Sequence, residues 1–412
     1  MFEASNRPII RIWRNPAFAW FMGGSAPFHI MGWMQRVGVG WLTWELTHSP
    51  FWLGVIAAAD VAPMLILAPI AGSIADNSDG FKILRISQFL LLLHAITLAI
   101  CTLSGVINVH ILLGLCLFNG LVYPFNNTSR QTVLPRIVDN REFATAIALD
   151  SAVFQAARFV GPALAAILIP ITGVGGTFVA QAMGSVCFQI MLSKIKLAPT
   201  VVKQRSRNIF QDIRESVTYV REHGGIAPLF MVLLAGSLIV RPVQDMLPGF
   251  SGGVFHAGAQ GLAWLSSALG VGAMLSATSI AVRGTVRGLT RHAILGFIGT
   301  ALSMLGFVAT TSLLVGVVFA GLMGFALNTM STSIQALMQA TVDNNMRGRV
   351  FALYALIFRG TPALGSFACG MLGELIGLRI TVVLGAVVCL IVAGFALPKR
   401  HTIASLMEPD DD

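Results

Sequence analysis

Seven ionisable residues interrupt otherwise apolar stretches of the chain: Arg36, Arg158, Arg241 and Arg359, with Asp60, Asp150 and Asp245. Holding such a group in hydrocarbon costs from about 2.5 kcal/mol upward, so each marks a candidate site. A guanidinium offers a rigid, planar fork of donors that fits a carboxylate or catecholate. An acid shielded from water can take up and release a proton near neutral pH. The arginines form two pairs of similar separation, Arg36 with Arg241 at 205 residues and Arg158 with Arg359 at 201. They are candidates for holding an anionic or oxygen-rich solute, with Gln155 and Asn328 as polar companions. The competing reading is structural, each arginine being neutralised by a nearby acid that ties helices together. Arg241 and Asp245 are four apart on one helical face, a spacing suited to an internal ion pair. Asp150 could bridge to Arg158 through Gln155. Asp60 is the first candidate for a proton carrier and Asp150 the second; for Asp60 a hydrogen-bonded role in a wet cavity stands beside that reading.

The remaining polar residues of these stretches are less specific. His29 and His94 are lone histidines, suited to packing or a backbone hydrogen bond as well as to a proton relay. Asn119, Asn126, Asn328, Gln155, Gln335 and Gln339 either line a cavity or bond between helices. Five cysteines all fall in apolar runs with no CxxC or metal-ligand spacing, which speaks against redox or zinc chemistry. There is no phosphate loop of the G-x4-G-K-[ST] type, no H-E-x-x-H and no G-x-S-x-G. No cofactor is expected, and no segment outside the apolar runs is long enough for a catalytic domain. An enzyme is therefore not expected.

The elements that must hold these residues are membrane helices. Of 412 residues 55% are apolar and 11% charged, and mean hydropathy is +0.78. A soluble domain carries about 25% charge, enough for a polar outer face, and this chain cannot make one. Runs near the roughly 20 residues of a span occur twelve times, at about 18–43, 51–75, 83–104, 108–128, 142–170, 174–195, 226–250, 259–282, 290–311, 313–340, 347–373 and 378–397. They lack the alternation of barrel strands, so helices are expected. The run after Arg7, Arg11 and Arg14 is too long for a cleavable signal, and 5–16 reads as an interfacial segment.

The connections alternate between nearly uncharged and basic. Lys82 and Arg85, then Arg130, Arg136 and Arg141, then Arg283, Arg287 and Arg291, then Arg347 and Arg349 fall on one side. The excess of positive residues places that side, and both termini, in the cytoplasm. The same rule accounts for the net charge of +9 without a nucleic-acid partner. Trp33, Trp41, Trp44 and Trp52 read as an aromatic belt at the opposite face. The longest connection, 196–225, carries Lys203, Arg205, Arg207, Arg214 and Arg221, and Arg207–Glu222 has the spacing of a surface helix. It divides the chain into a six-helix half at 1–195, a basic linker at 196–225, a second six-helix half at 226–400 and a tail at 401–412. The halves repeat: NNTSRQTVLPRIVDNREF with GPAL at 161–164 parallels NTMSTSIQALMQATVDNNMRGRVF with TPAL at 361–364. Duplicated halves with a site between them near mid-membrane are a transporter architecture.

Three stretches carry a family resemblance: 32–76 (GWMQRVGVGWLTWELTHSPFWLGVIAAADVAPMLILAPIAGSIAD), 134–166 and 347–366. The chain resembles the major facilitator superfamily over essentially its whole length, and within it the bacterial transmembrane secretion effector group of siderophore exporters and macrolide efflux pumps. The resemblance implies an all-α membrane protein of twelve transmembrane helices in two pseudo-symmetric six-helix halves. It also implies that the spans bearing the four arginines face a central cavity, and that transport runs by alternating access, usually as proton-driven export.

The superfamily's G-x-x-x-D-R-x-G-R-K/R loop is matched here by Gly72 and Asp76. Asn77 stands in the place of the arginine, and Gly80 and Lys82 arrive one residue late. Gly72, Asp76 and Lys82 thus form a candidate latch, in which an acid caps a helix or pairs with a base; a solvated charged turn is the other reading. The exporters' G-x8-G-x3-G-P-x2-G-G pattern appears as Ala148, Ala157, Gly161, Pro162, Ala165 and Ala166, so small size survives at the packing positions Gly161 and Pro162. The basic residue of the fourth span found in many drug exporters has no counterpart at 112–120. The resemblance and the residues together point to a monomeric secondary exporter of a small siderophore-like, drug-like or otherwise amphipathic or anionic solute. It would be multi-pass in a bacterial cytoplasmic (inner) membrane, with protons as coupling ion. Uptake or lysolipid flipping in the same fold is the alternative, and a non-transporting membrane sensor the alternative of a different class.

Overall fold

The structure, a computed structural model, describes residues 8–76, 78–139, 141–197 and 209–408. It divides into two compact units, Met1–Leu42 with Pro63–Ser206 and Thr43–Ala62 with Arg207–Asp412. The chain runs through α1 (Pro8–Trp13), α2 (Pro16–Thr47), α3 (Pro50–Asp76), α4 (Gly80–Leu103), α5 (Val109–Ile137), α6 (Phe143–Thr172) and α7 (Gly175–Lys194). It continues through α8 (Ile209–Glu222), α9 (Ile226–Ala235), α10 (Arg241–Asp245), α11 (Leu247–Gly249), α12 (Gly258–Arg283), α13 (Leu289–Ala309), α14 (Leu313–Thr341), α15 (Asn344–Ile376), α16 (Leu378–Ala396) and α17 (Arg400–Met407). The described residues contain no strand.

Local sequence sets where these helices begin. Proline opens α2 and α3, where its missing N–H is one no helix could satisfy. Asn15 accepts from the amides of Ala17 and Phe18, and Asn108 from those of His110 and Ile111, which satisfies the first turns of α2 and α5. Gly377, at φ 87°, turns α15 directly into α16 in a conformation that disfavours any side chain.

Eleven helical segments among the described residues are long and apolar enough to cross a membrane. The first predicted run corresponds to α2, which at 32 residues has the length but whose hydropathy is diluted by His29, Gln35, Arg36 and Glu45. The fourth run extends further than its apolar stretch, to Ile137, so that Arg130 lies within α5 rather than in a connection. The burial pattern is that of a protein solvated by lipid. Ile66, Ile171, Leu314 and Phe395 are at least 70% exposed, whereas Gln88, Ser185, Ser276 and Ser333 are fully buried.

Within the first unit, Phe18, Phe21, Phe28, Leu84 and Phe188 form part of one apolar core. Gly161 of α6 lies flush against α2: a Cβ there would stand 2.5 Å from that of Trp33 and 2.6 Å from the carbonyl oxygen of Ile30. Within the second unit, α12 and α14 meet backbone to backbone, Gly272 against Gly321 and Gly324 against Leu269. The expected surface helix is α8, which packs on α15 through Glu215–Arg349 at 2.5 Å and Tyr219–Asp343 at 3.1 Å. Arg207, Lys203 and Arg205 lie outside the described residues. The tail forms α17, with Ile403 and Met407 buried in the second unit.

Candidate functional site

Close packing of α6 on α2 assembles the first cluster. Where Gly161 removes the side chain that would hold the helices apart, Arg158, one turn earlier, is delivered to the indole of Trp33. Its guanidinium carbon lies 5.3 Å from the ring centroid, and that of Arg36 lies 5.6 Å from the same ring. Two guanidiniums thus share one aromatic surface, whose π electrons offset part of their mutual repulsion. Phe154 packs edge-on to Trp33 at 6.2 Å. Arg36 is exposed and Arg158 half-buried, and among the described residues no carboxylate lies within ion-pair distance of Arg158. Such a pair can grip a carboxylate through paired N–H donors while Trp33 supports an apolar or aromatic part of the same solute. Trp33 is thereby a mid-helix residue of α2, where the sequence suggested an interfacial belt. Gln155, one turn before Arg158, is exposed.

A second cluster lies in the same unit. Arg130 of α5 is buried; it donates to Asp150 Oδ2 at 2.7 Å and to Ser25 Oγ at 2.6 Å, and contacts His29 Nε2. Because arginine can only donate, His29 Nε2 is the accepting atom in this contact. Asp150 Oδ1 is buried with no hydrogen-bond partner among the described residues. The sequence suggested that Asp150 bridges toward Arg158; its partner is Arg130, placed among the cytoplasmic basic connections because the run of apolar residues ends before it. The available signal was that Ser25 and His29 lie one helical turn apart on α2, each offering an acceptor that a buried donor can use. Further along α5, Asn126 donates to Gln88 Oε1 at 3.1 Å and Ser87 Oγ at 3.3 Å, extending the buried polar contacts to α4.

In the second unit, a π-helical turn at Gly236–Val240 leads directly into Arg241, and a second occupies Phe250–Val254. Such turns recur at functional sites. Arg241 donates to the Phe358 carbonyl at 2.8 Å and its guanidinium carbon stands 3.9 Å from the Phe358 ring centroid; Tyr354 stacks on the ring's side at 5.5 Å. Asp245 accepts from Ser366 Oγ at 2.7 Å. Arg359 is exposed beside Phe358. Asn328 donates to the Ala273 carbonyl at 3.1 Å and to Ser276 Oγ at 3.4 Å, which joins α14 to α12. Asp60 is half-buried on α3. The structure therefore brings Arg36 and Arg158 together in one unit, while Arg241 and Arg359 belong to the other.

At the latch, Gly72 lies on α3 and Lys82 is exposed on α4. Asp76 is the last residue of α3, and Asn77 lies outside the described residues. Asp79, which sequence reasoning passed over, caps α4 by accepting from Phe81 N at 3.1 Å, and it stands 3.6 Å from Arg136 Nη1 of α5. No group of three or more metal-ligating side chains occurs among the described residues.

A model of the transmembrane secretion effector family matches residues 12–409. The staphyloferrin A transporter of Staphylococcus aureus is 22% identical over 379 residues, covering 87% of this chain and 90% of that protein. The multidrug efflux pump Tap of Mycolicibacterium fortuitum is 24% identical over 356 residues, covering 84% and 86%. Among solved structures, a POT family transporter in complex with 5-aminolevulinic acid superposes with a TM-score of 0.74 at 10% identity, covering 94% of this chain and 96% of that one. At that identity the likeness is one of fold.

Proposed function

Since the chain belongs to the transmembrane secretion effector family, membrane transporters of the major facilitator superfamily, we propose that it exports a small anionic or amphipathic solute by alternating access, coupled to protons. The observation that carries the substrate class is the placement of Arg36 and Arg158 over Trp33. Two guanidiniums on one aromatic ring favour a solute that combines an acidic or oxygen-rich group with a flat or apolar portion. The relatives named for a siderophore and for drugs are in keeping with that combination, and the name of the efflux pump supports outward transport.

For proton coupling the support is the Arg130–Asp150–His29 cluster. Protonating either Asp150 or His29 changes the charge facing Arg130, and with it the link between α2, α5 and α6. Asp60 is the second candidate carrier. The setting is a bacterial cytoplasmic membrane with both termini inside, supported by the basic residues of the connections; the protein acts as a monomer.

The test is reconstitution in lipid vesicles with an imposed pH gradient and a panel of anionic and neutral solutes, comparing the native chain with Arg158→Gln. Gradient-dependent movement of anionic members, weakened by the substitution, is the expected result. Movement of neutral members alone, or an unchanged preference in Arg158→Gln, overturns the substrate class.

A further inference from the structure

An apolar groove of about 330 Å³ runs between α13 and α14, and none of the four intramembrane arginines is among its lining residues. Its lining includes His292, Gly296 and Gly299 of α13 and Leu322, Phe325 and Ala326 of α14. Leu322 is 50% exposed and Leu295 48% exposed on its rim, so the groove is open to its surroundings rather than enclosed. Gly299 forms the open floor, while Gly296 sits against the α14 backbone, where a Cβ would lie 2.8 Å from the Ala326 carbonyl oxygen. A Cβ on Gly299 would meet only that of Ala326, at 3.5 Å, so the side chain's absence leaves room that the packing does not require.

The groove has a length and a charged end. From His292 to Ser303, the limits of its lining on α13, the helix rises about 16 Å, close to half of a hydrocarbon core of about 30 Å. It is thus long enough to span one leaflet. At the His292 end stand Arg283, Arg287 and Arg291, all exposed. Arg283 Nη1 lies 2.8 Å from His292 Nε2 and Nη2 donates to the Arg287 carbonyl at 2.7 Å, which holds this guanidinium over the mouth of the groove. The carboxylate of Glu408 is close by but already engaged: it accepts from the amides of Gly288 at 2.6 Å and Thr290 at 2.9 Å. It satisfies the first turn of α13, and beside its single negative charge the three arginines leave this end net cationic.

We propose that this groove binds an anionic phospholipid, one acyl chain lying along Gly296 and Gly299 and the headgroup phosphate held by Arg283, Arg287 and Arg291. A guanidinium fork matches two phosphate oxygens, and a lipid is the one partner that brings an anion and a leaflet-length chain together. A free phosphate has no use for the groove, and a zwitterionic lipid loses much of the electrostatic gain.

Native mass spectrometry of the full chain released from detergent tests this with added phosphatidylglycerol or phosphatidylcholine. The native protein retains phosphatidylglycerol preferentially, with a bias of about fivefold for each arginine engaged. Arg283→Gln with Arg287→Gln reduces that preference, Arg283→Lys largely keeps it, and Gly299→Leu lowers retention of both lipids by filling the groove. Glycerol phosphate without acyl chains is not retained. Equal retention of the two lipids by the native protein overturns the proposal, as does a preference untouched by the double substitution or retention untouched by Gly299→Leu.

Discussion

Arg130 and Asp150 form a 2.7 Å ion pair that ties α5 to α6, and the same guanidinium reaches Ser25 and His29 on α2. Three helices of one unit therefore meet on a single buried cation. Removing one partner of such a pair strands the other charge and destabilises by about 3–5 kcal/mol, whereas replacing both by apolar residues is often neutral. Asp150→Asn should lower the thermal unfolding temperature in detergent micelles, and Arg130→Met with Asp150→Leu should recover much of it. Neither variant should keep the native response of transport to a pH gradient. A double variant that restores stability and full gradient dependence would show the cluster to be structural only.

The shared ring of Trp33 leads to a separate expectation. A cation over an indole contributes about 0.5–2 kcal/mol, so Trp33→Leu should raise the apparent KM for an anionic solute by about two- to thirtyfold. Arg158→Lys keeps the charge but loses the planar fork, and should fall between the native chain and Arg158→Gln. Initial rates across solute concentrations in vesicles measure the order. Equal KM values in all four proteins would remove Trp33 and Arg158 from the site.

Fold and site differed in how far the sequence revealed them. The spans were legible because lipid imposes a composition no buried soluble helix needs, and their ends were marked by Pro16, Pro50 and Asn108. The helical extension past residue 128 was not, since NNTSRQTVLPRI is polar enough to read as a connection. Its polar residues are satisfied inside the unit, Asn126 by Gln88 and Arg130 by Asp150, and such pairing depends on tertiary contacts across 20 to 39 residues. Arg36 and Arg158 were found by their rarity in apolar runs. Trp33 was not identified with them, because a tryptophan near other tryptophans has the pattern of an interfacial belt.

Gly161 positions Arg158 by letting α6 touch α2, and larger residues should show it. Gly161→Ala places a Cβ 2.6 Å from the Ile30 carbonyl oxygen, so the helices must separate. Overpacking of this kind costs about 1–3 kcal/mol, and Gly161→Val should cost more than Gly161→Ala. Unfolding temperature in micelles reports the stability, and quenching of Trp33 fluorescence, in a background with the other tryptophans replaced, reports the displaced ring. An alanine variant with native stability and native quenching would mean that the crossing is looser than this contact requires.

In the candidate latch loop Asp79 makes the contacts that substitution can test. Asp79 accepts from Phe81 N and stands 3.6 Å from Arg136 Nη1, so it joins the start of α4 to α5, whereas Lys82 is exposed. Losing a capping carboxylate costs about 0.5–2 kcal/mol. The ion pair adds less, because both side chains are about a quarter to a third exposed and salt screens them. Asp79→Ala should therefore destabilise measurably, Asp79→Asn should keep most of the cap while losing the salt-sensitive part, and Lys82→Ala should change little. Hydrogen exchange at the amides of the first turn of α4 separates these effects: protection should fall in Asp79→Ala and persist in Asp79→Asn. Unchanged protection in Asp79→Ala would assign the start of α4 to packing of Phe81 and Leu84 instead, both of which belong to the core of the first unit.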